Sequence, residues 1–303
     1  MTNKWRYSIF FVIGLMFIAM IASGIMQLSV DPSYVGNVML INIEGPIMSY
    51  SADTGIFGSD VVSSSFVVKS LMEAQKDPNI LAVVLSIDSP GGGAVASQEI
   101  VEALKSIDKP SIAVIRSLGA SGAYWVASAT DKIYSNPLSL IGSIGVTSSY
   151  LEFSGLLERY NITYERLVSA EHKDIGSPLR SLTDEERTML MRQINLVHDF
   201  FVEDVASNRG VDKSVIQELA TGNIYMGSEA VRNGLVDELG NINLVKEHLE
   251  EDLNTTIVFR QVRRRSSIFD IMTVFGNNFA FNFGKGFASW MTQERQQEII
   301  SLR

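Results

Sequence analysis

Two glycine-rich stretches in this 303-residue chain could do chemistry. In Gly119-Ala120-Ser121-Gly122-Ala123-Tyr124, a serine sits among small side chains between a strand-like and a helix-like run. A carbonyl could approach it closely, and a helix N-terminus would favour its alkoxide. The spacing is not G-x-S-x-G, because Ala123 stands where the last glycine belongs. Asp88-Ser89-Pro90-Gly91-Gly92-Gly93 follows an apolar run, so its amides could cradle a phosphate or an oxyanion. It lacks the G-K-[S/T] ending of a P-loop, although Gly91, Gly93 and Ala96 meet the looser dinucleotide pattern. Taken alone, such a cluster is equally well a tight turn.

A nucleophilic serine needs a base. Of three histidines, His198 and His248 fall in charge-rich helical stretches and read as solvated surface positions. His172 and Lys173 are neighbours in Glu171-His172-Lys173-Asp174-Ile175-Gly176-Ser177-Pro178. A triad through His172 is compatible with composition. A lysine base is chemically harder: free lysine has a pKa of about 10.4, and lowering it by about three units costs roughly 4 kcal/mol of differential desolvation. Apolar walls can supply that. Residue chemistry leaves both bases open.

Composition removes other classes. There is no cysteine, so thiol catalysis, cysteine-based zinc sites, iron–sulfur clusters and disulfides are impossible. A formal charge of −9 argues against a nucleic-acid partner. With 46% apolar and 19% charged residues and seven prolines, the chain is globular with an additional hydrophobic segment.

The elements that must position these residues alternate. Residues 38–47 read as a strand closing at Gly45-Pro46, and the Ser/Gly/Asp-rich stretch to Ser65 as a loop. Residues 67–76 and 94–105 have helical patterning, and 80–88 and 111–115 are apolar runs typical of strands buried on both faces. Residues 121–130 are helix-compatible; 132–135 and 143–147 read as short strands, 151–160 as helix and 162–168 as extended. Thr183-x-x-Glu186 is a capping box opening a long helix to about Asn208, with shorter helices at 213–220 and 227–233. Such alternation predicts an α/β fold with a mainly parallel sheet and flanking helices.

Residues 7–28 carry no charge and match the roughly 20 apolar residues that cross a bilayer. Lys4 and Arg6 before the run and Asp31 after it place residues 1–6 in the cytoplasm and the remainder outside. A cleaved signal peptide ending near Ala22-Ser23-Gly24 is the competing reading; the apolar run continues past that point, which favours a retained anchor. The end of the chain begins with Arg263-Arg264-Arg265 and is rich in Phe and Ile, but Asp270, asparagines and glycines interrupt it. It suits a tail lying on a membrane surface or packed on protein better than a second span.

Four motifs occur together and in order: Asp88-Ser89-Pro90-Gly91-Gly92, Ala120-Ser121-Gly122-Ala123-Tyr124, Gly142-Ser143-Ile144-Gly145-Val146 and His172-Lys173-Asp174. In order and spacing this set resembles the signal peptide peptidase A family, over roughly residues 38–243. The 52 residues from Ser121 to Lys173 match its short, single-domain form. The resemblance implies a ClpP/crotonase-like fold and a membrane-bound serine endopeptidase with a Ser/Lys dyad. Ser121 would be the nucleophile, Lys173 the base, Ser143 the residue orienting the lysine, and Gly91 or Gly92 with Gly122 the oxyanion hole. It also implies ring-shaped homo-oligomers on the plasma membrane, hydrophobic peptides and signal-peptide remnants as substrates, and neither cofactor nor metal. One departure is Ala123, where the family often has a second glycine.

The expected organisation is a cytoplasmic N-terminus (1–6), a transmembrane anchor (7–28), a linker (29–37), a peptidase domain (38–262) and an amphipathic, basic tail (263–303). A crotonase-like acyl-CoA enzyme would use the same glycine amides but has no need of Ser121. A catalytically silent membrane scaffold would not need both Ser121 and Lys173.

Overall fold

Apolar runs with no polar alternation become strands covered on both faces, because a parallel sheet needs helices on each side. In the computed structural model, which describes Gly14, residues 36–50 and residues 61–262, the chain forms β1 (Val38–Glu44), β2 (Ile47–Met48), β3 (Val62–Ser63), α1 (Ser64–Lys76), β4 (Ala82–Ser89), α2 (Ala94–Lys105), β5 (Ser111–Ala120) and α3 (Gly122–Ser128). β6 (Lys132–Ser135), β7 (Leu140–Gly142), α4 (Ser154–Arg159), α5 (Asp184–Arg209), α6 (Lys213–Leu219), β8 (Ile224–Met226) and α7 (Gly227–Arg232) follow. β9 (Glu238–Leu239), α8 (Ile242–Leu253) and β10 (Phe259–Gln261) complete the order.

The main sheet runs β10-β1-β4-β5-β6-β9, all parallel. β5 forks: Ile112–Ile115 pair with β6, whereas Leu118–Ala120 pair with β7, which pairs antiparallel with β8. Alternate residues of each strand feed opposite layers. Val83, Leu85 and Ile87 of β4 join the larger core with Val67 and Leu71 of α1, Ile100 and Leu104 of α2, and Phe201, Val202 and Val205 of α5. Ala82 and Val84 point the other way and pack with Val38, Leu40, Val114 and Tyr134 against Val245 and Leu249 of α8. Each fully buried aliphatic or aromatic side chain contributes roughly 1.5–3 kcal/mol, so the two layers hold the strand ends rigidly.

The α/β architecture with a mainly parallel sheet is the expected one. α2 spans 94–105 as patterned, and the Thr183/Glu186 capping box opens α5 with both reciprocal hydrogen bonds, 3.2 and 3.0 Å. Several local expectations are corrected. Residues 143–147 are not a strand: β7 ends at Gly142, and Ser143 turns to φ 48°, which no ladder accommodates. Residues 162–168, read as extended, take part in no strand pairing among the described residues. β5 extends to Ala120 because its second half finds β7 as a separate neighbour. His198 and His248 are half-buried and bonded, to the Ala220 carbonyl and the Tyr134 hydroxyl respectively, not solvated. Asn37 donates to the Thr256 carbonyl and accepts from the Val258 amide, both at 2.9 Å.

Among the described residues no helix is long and apolar enough to cross a membrane. The expected span at 7–28, apart from Gly14, and the tail from Arg263 lie outside the described residues.

Candidate active site

β4, β5 and β7 are parallel neighbours, so their carboxyl ends lie side by side, where α/β proteins place their ligands. β4 runs into Ser89-Pro90-Gly91-Gly92, β5 into Ser121, and β7 into Ser143. The Ser121 amide donates to the Gly142 carbonyl at 2.8 Å, which ties the first residue after β5 to the last residue of β7.

Ser121 itself is in an unusual conformation, φ 51° and ψ −126°, at the N-cap of α3. A positive φ costs a non-glycine residue of order 1–3 kcal/mol and persists only where the surroundings enforce it. Here the enforcement is visible on both sides. Behind Ser121, the Trp125 ring stacks on Phe201 with centroids 4.7 Å apart, and its indole N–H donates to Asp204 at 2.6 Å, fastening α3 to α5. In front of it lies Gly91, with φ 91°. A Cβ at Gly91 would stand 2.6 Å from the Gly122 nitrogen and 2.9 Å from the Ser121 Cβ. Only glycine lets the two turns approach this closely.

The glycine turn is locked from outside the site. Ser89 Oγ donates to the Gly45 carbonyl at 2.7 Å and accepts from the Gly91 amide at 3.1 Å. Ile47 of β2 pairs with the turn, its amide donating to the Gly91 carbonyl and its carbonyl accepting from the Gly93 amide. These bonds occupy the amides of Gly91 and Gly93. The amides of Gly92 and Gly122 have no acceptor among the described residues. They lie close together, since a Cβ built on Gly122 would be 3.4 Å from the Gly92 nitrogen. That Cβ would also strike the Ser97 hydroxyl at 2.2 Å. Ser97 is fully buried and its Oγ has no partner among the described residues, so α2 presses a polar atom against the back of the turn. Sequence reading passed over Ser97, because a serine inside an amphipathic helix carries no mark of what it faces. Ala123 is a buried residue of α3 without positive φ, so its methyl is accommodated.

Ser143 stands at the end of β7 with φ 48°, its amide donating to the Asn223 carbonyl at 2.7 Å. Ser121, Ser143, Gly91, Gly92 and Gly122 therefore converge. Lys173 is not brought into hydrogen-bonding contact with them. It is exposed on an arm, residues 147–182, that leaves the sheet after β7, and its ammonium has no hydrogen-bond or ion-pair partner among the described residues. His172 is half-buried, with Nδ1 enclosed and without a partner among the described residues.

The residue after Lys173 is held firmly. Asp174 accepts two hydrogen bonds from Arg166, at 2.8 and 2.7 Å, and two from Arg180, at 2.9 Å each. Arg180 also grips Glu186 of α5 at 2.8 and 2.5 Å. Arg180, and then Arg166, hold the Asp174 carboxyl far below the usual carboxylate range. Arg180 and the Thr183 amide bring Glu186 down to about 2. The sequence reading identified the capping box but not its link to Arg180; the signal was the even spacing of Asp174, Arg180 and Glu186, six residues apart.

The model of peptidase family S49 matches residues 103–256, just over half of the chain. A protein of Methanocaldococcus jannaschii named as a protease is 31% identical over 242 residues, 78% of this chain and 76% of that one.

The chain belongs to peptidase family S49.

An Enterococcus faecium protein named as a signal peptide peptidase SppA is 33% identical over 225 residues, 72% of this chain and 64% of its own. Protease 4 of Haemophilus influenzae is 30% identical over 220 residues, which is 35% of its length, so this S49 chain spans about a third of that relative. The matched family span includes Ser121, Ser143 and Lys173, while Gly91 and Gly92 precede it. The chain is thus a serine-type peptidase of the SppA kind on a mixed α/β fold.

Proposed function

We propose that the chain is a membrane-anchored endopeptidase that cuts hydrophobic peptides, signal-peptide remnants among them, with Ser121 as nucleophile and Lys173 as general base. The observation that carries this reading is the strained Ser121 beside two uncommitted amides, Gly92 and Gly122. Ser121 Oγ attacks the peptide carbonyl while a neutral Lys173 takes its proton. The oxyanion formed lies against the two amides, which need no reorganisation to receive it. Lys173 then protonates the leaving amine, and water, activated by the same nitrogen, hydrolyses the ester. Ser143, one residue beyond the carbonyl that receives the Ser121 amide, orients the lysine. Gly91 shapes the turn, and its own amide is already committed to Ser89.

The arm exposes large apolar side chains, with Leu167 92% and Leu151 74% exposed, and a neighbouring copy in a homo-oligomeric ring would cover them. The apolar segment at 7–28 supports a single-pass anchor with the N-terminus cytoplasmic and the catalytic domain extracytoplasmic. The name of the enterococcal relative supports the substrate class.

The test is hydrolysis of a fluorogenic hydrophobic peptide by the full-length protein in detergent, with Ser121→Ala and Lys173→Ala beside wild type. Both substitutions are expected to abolish turnover with the fold intact. Near-normal activity in Lys173→Ala would remove lysine as the base and turn attention to His172.

A further inference from the structure

Lys173 sits on an irregular arm with no regular secondary structure of its own around it. Precise placement of a base needs a neighbour held by something rigid. The adjacent residue, Asp174, is that neighbour. Its carboxylate takes both forks of Arg180, and the same guanidinium takes both oxygens of Glu186. Glu186 in turn accepts from the Thr183 amide at 3.0 Å as the second half of the α5 capping box, and its side chain is only 3% exposed. An unbroken chain of bidentate contacts runs from the first turn of the 26-residue helix α5 to the residue beside Lys173. Arg166 closes the other side of Asp174 and donates to the Glu171 carbonyl, tying the turn to its own arm. Planar, forked contacts fix angle as well as distance, which a lysine in place of either arginine would not do.

We propose that Arg180 and Asp174 are positioning residues for the catalytic base, transmitting the rigidity of α5 to Lys173. This rests on the reading of Lys173 as the base. It also explains how a base can stand on an exposed arm: the contacts from Glu186 through Arg180 to Asp174 end one residue from Lys173.

Among the described residues, the titratable and charged groups of this region include Lys173, Asp174, Arg166, Arg180, Glu186, Glu171, His172 and, through Ser181, Glu152. Removing one member therefore shifts the electrostatic balance as well as the geometry. The experiment measures kcat, KM and the pH profile of kcat/KM for full-length wild type, Arg180→Gln, Asp174→Asn and Lys173→Ala, with thermal unfolding of each. In Arg180→Gln, kcat is expected to fall about a hundredfold with KM within about twofold. Glu186 then loses its cation and Asp174 keeps only Arg166; the uncompensated negative charge favours the protonated base, so the acidic limb of the profile moves to higher pH by roughly half a unit or more. In Asp174→Asn, Arg166 loses its carboxylate and Arg180 keeps only Glu186, so the limb moves the other way. A variant that merely lost folded molecules would scale the whole profile without moving its limb. If Lys173→Ala is dead but Arg180→Gln keeps kcat within about threefold, or scales without a shift, the positioning role is overturned while the Ser/Lys reading stands. If Lys173→Ala remains active, that reading and the positioning role fall together.

Discussion

The Ser121 amide donates to the Gly142 carbonyl at 2.8 Å, so Ser121 and the residue before Ser143 share one backbone hydrogen bond. This contact ties the end of β7, a strand of only three residues, to the turn that carries Ser121. The fork in β5 creates it, because the strand abandons β6 after Ile115 and takes up β7 from Leu118. The two serines are therefore set by one sheet, and both have positive φ.

Gly91→Ala is expected to lose at least about a hundredfold in kcat/KM, comparable to removing an oxyanion donor. The new methyl would sit 2.6 Å from the Gly122 amide nitrogen and 2.9 Å from the Ser121 Cβ, at a φ of 91°. Stability should fall by about 1–3 kcal/mol from backbone strain. Peptide hydrolysis and chemical denaturation measure the two effects separately.

Gly122→Ala meets the Ser97 hydroxyl at 2.2 Å and the Ser97 Cβ at 3.2 Å. Ser97→Ala alone removes a buried hydroxyl without a partner and should leave stability unchanged or raise it by about 1 kcal/mol. The double variant should recover part of the activity lost in Gly122→Ala, since the closest contact is gone. A double-mutant cycle on kcat/KM reads that coupling; strict additivity would show that the two residues do not meet.

Trp125→Ala should destabilise the protein by about 3–5 kcal/mol, as for a large buried aromatic side chain. It removes the stack on Phe201 and leaves Asp204 with Lys105 alone. Trp125→Phe keeps the apolar bulk but not the indole N–H, and so should cost less. Urea denaturation of both variants checks the order.

Acid should free the arm before it unfolds the core. Glu186 falls from an ordinary value of 4.5 to about 2 in the folded protein, mainly through Arg180. Its contribution is therefore complete above pH 4.5 and lost progressively as the pH falls toward 2, with Asp174 retaining its charge to lower pH still. Limited digestion by pepsin across this window should produce first cuts within residues 147–182. In Glu186→Gln the onset should no longer follow that titration.

Leu167→Glu and Leu151→Glu place charges on the most exposed apolar positions of the arm. If copies of the chain cover this surface, both variants should yield smaller particles by light scattering in detergent and lose peptidase activity together. Unchanged mass with full activity would exclude the arm from the assembly contact.

The parallel α/β class was legible in the sequence because strands buried on both faces need unbroken apolar runs, as in residues 80–88, and because α2 and α5 carry a helical period or a capping box. The order of the four motifs also pointed to Ser121, Ser143, Lys173 and the glycine turn, since those residue types at those intervals are a linear property. What lay beyond the linear pattern depends on which strand ends become neighbours. That Gly92 and not Gly91 has a free amide follows from the pairing of Ile47 with the turn and from the reach of Ser89. Neither is visible without the sheet order. The hydroxyl of Ser97 against Gly122 and the grip of Arg180 on both Asp174 and Glu186 are likewise contacts between separate elements. Sequence periodicity determines which face of an element is buried and which residues can do chemistry; tertiary structure alone decides which hydrogen bonds those residues have already spent, because a donor's availability depends on every element packed around it.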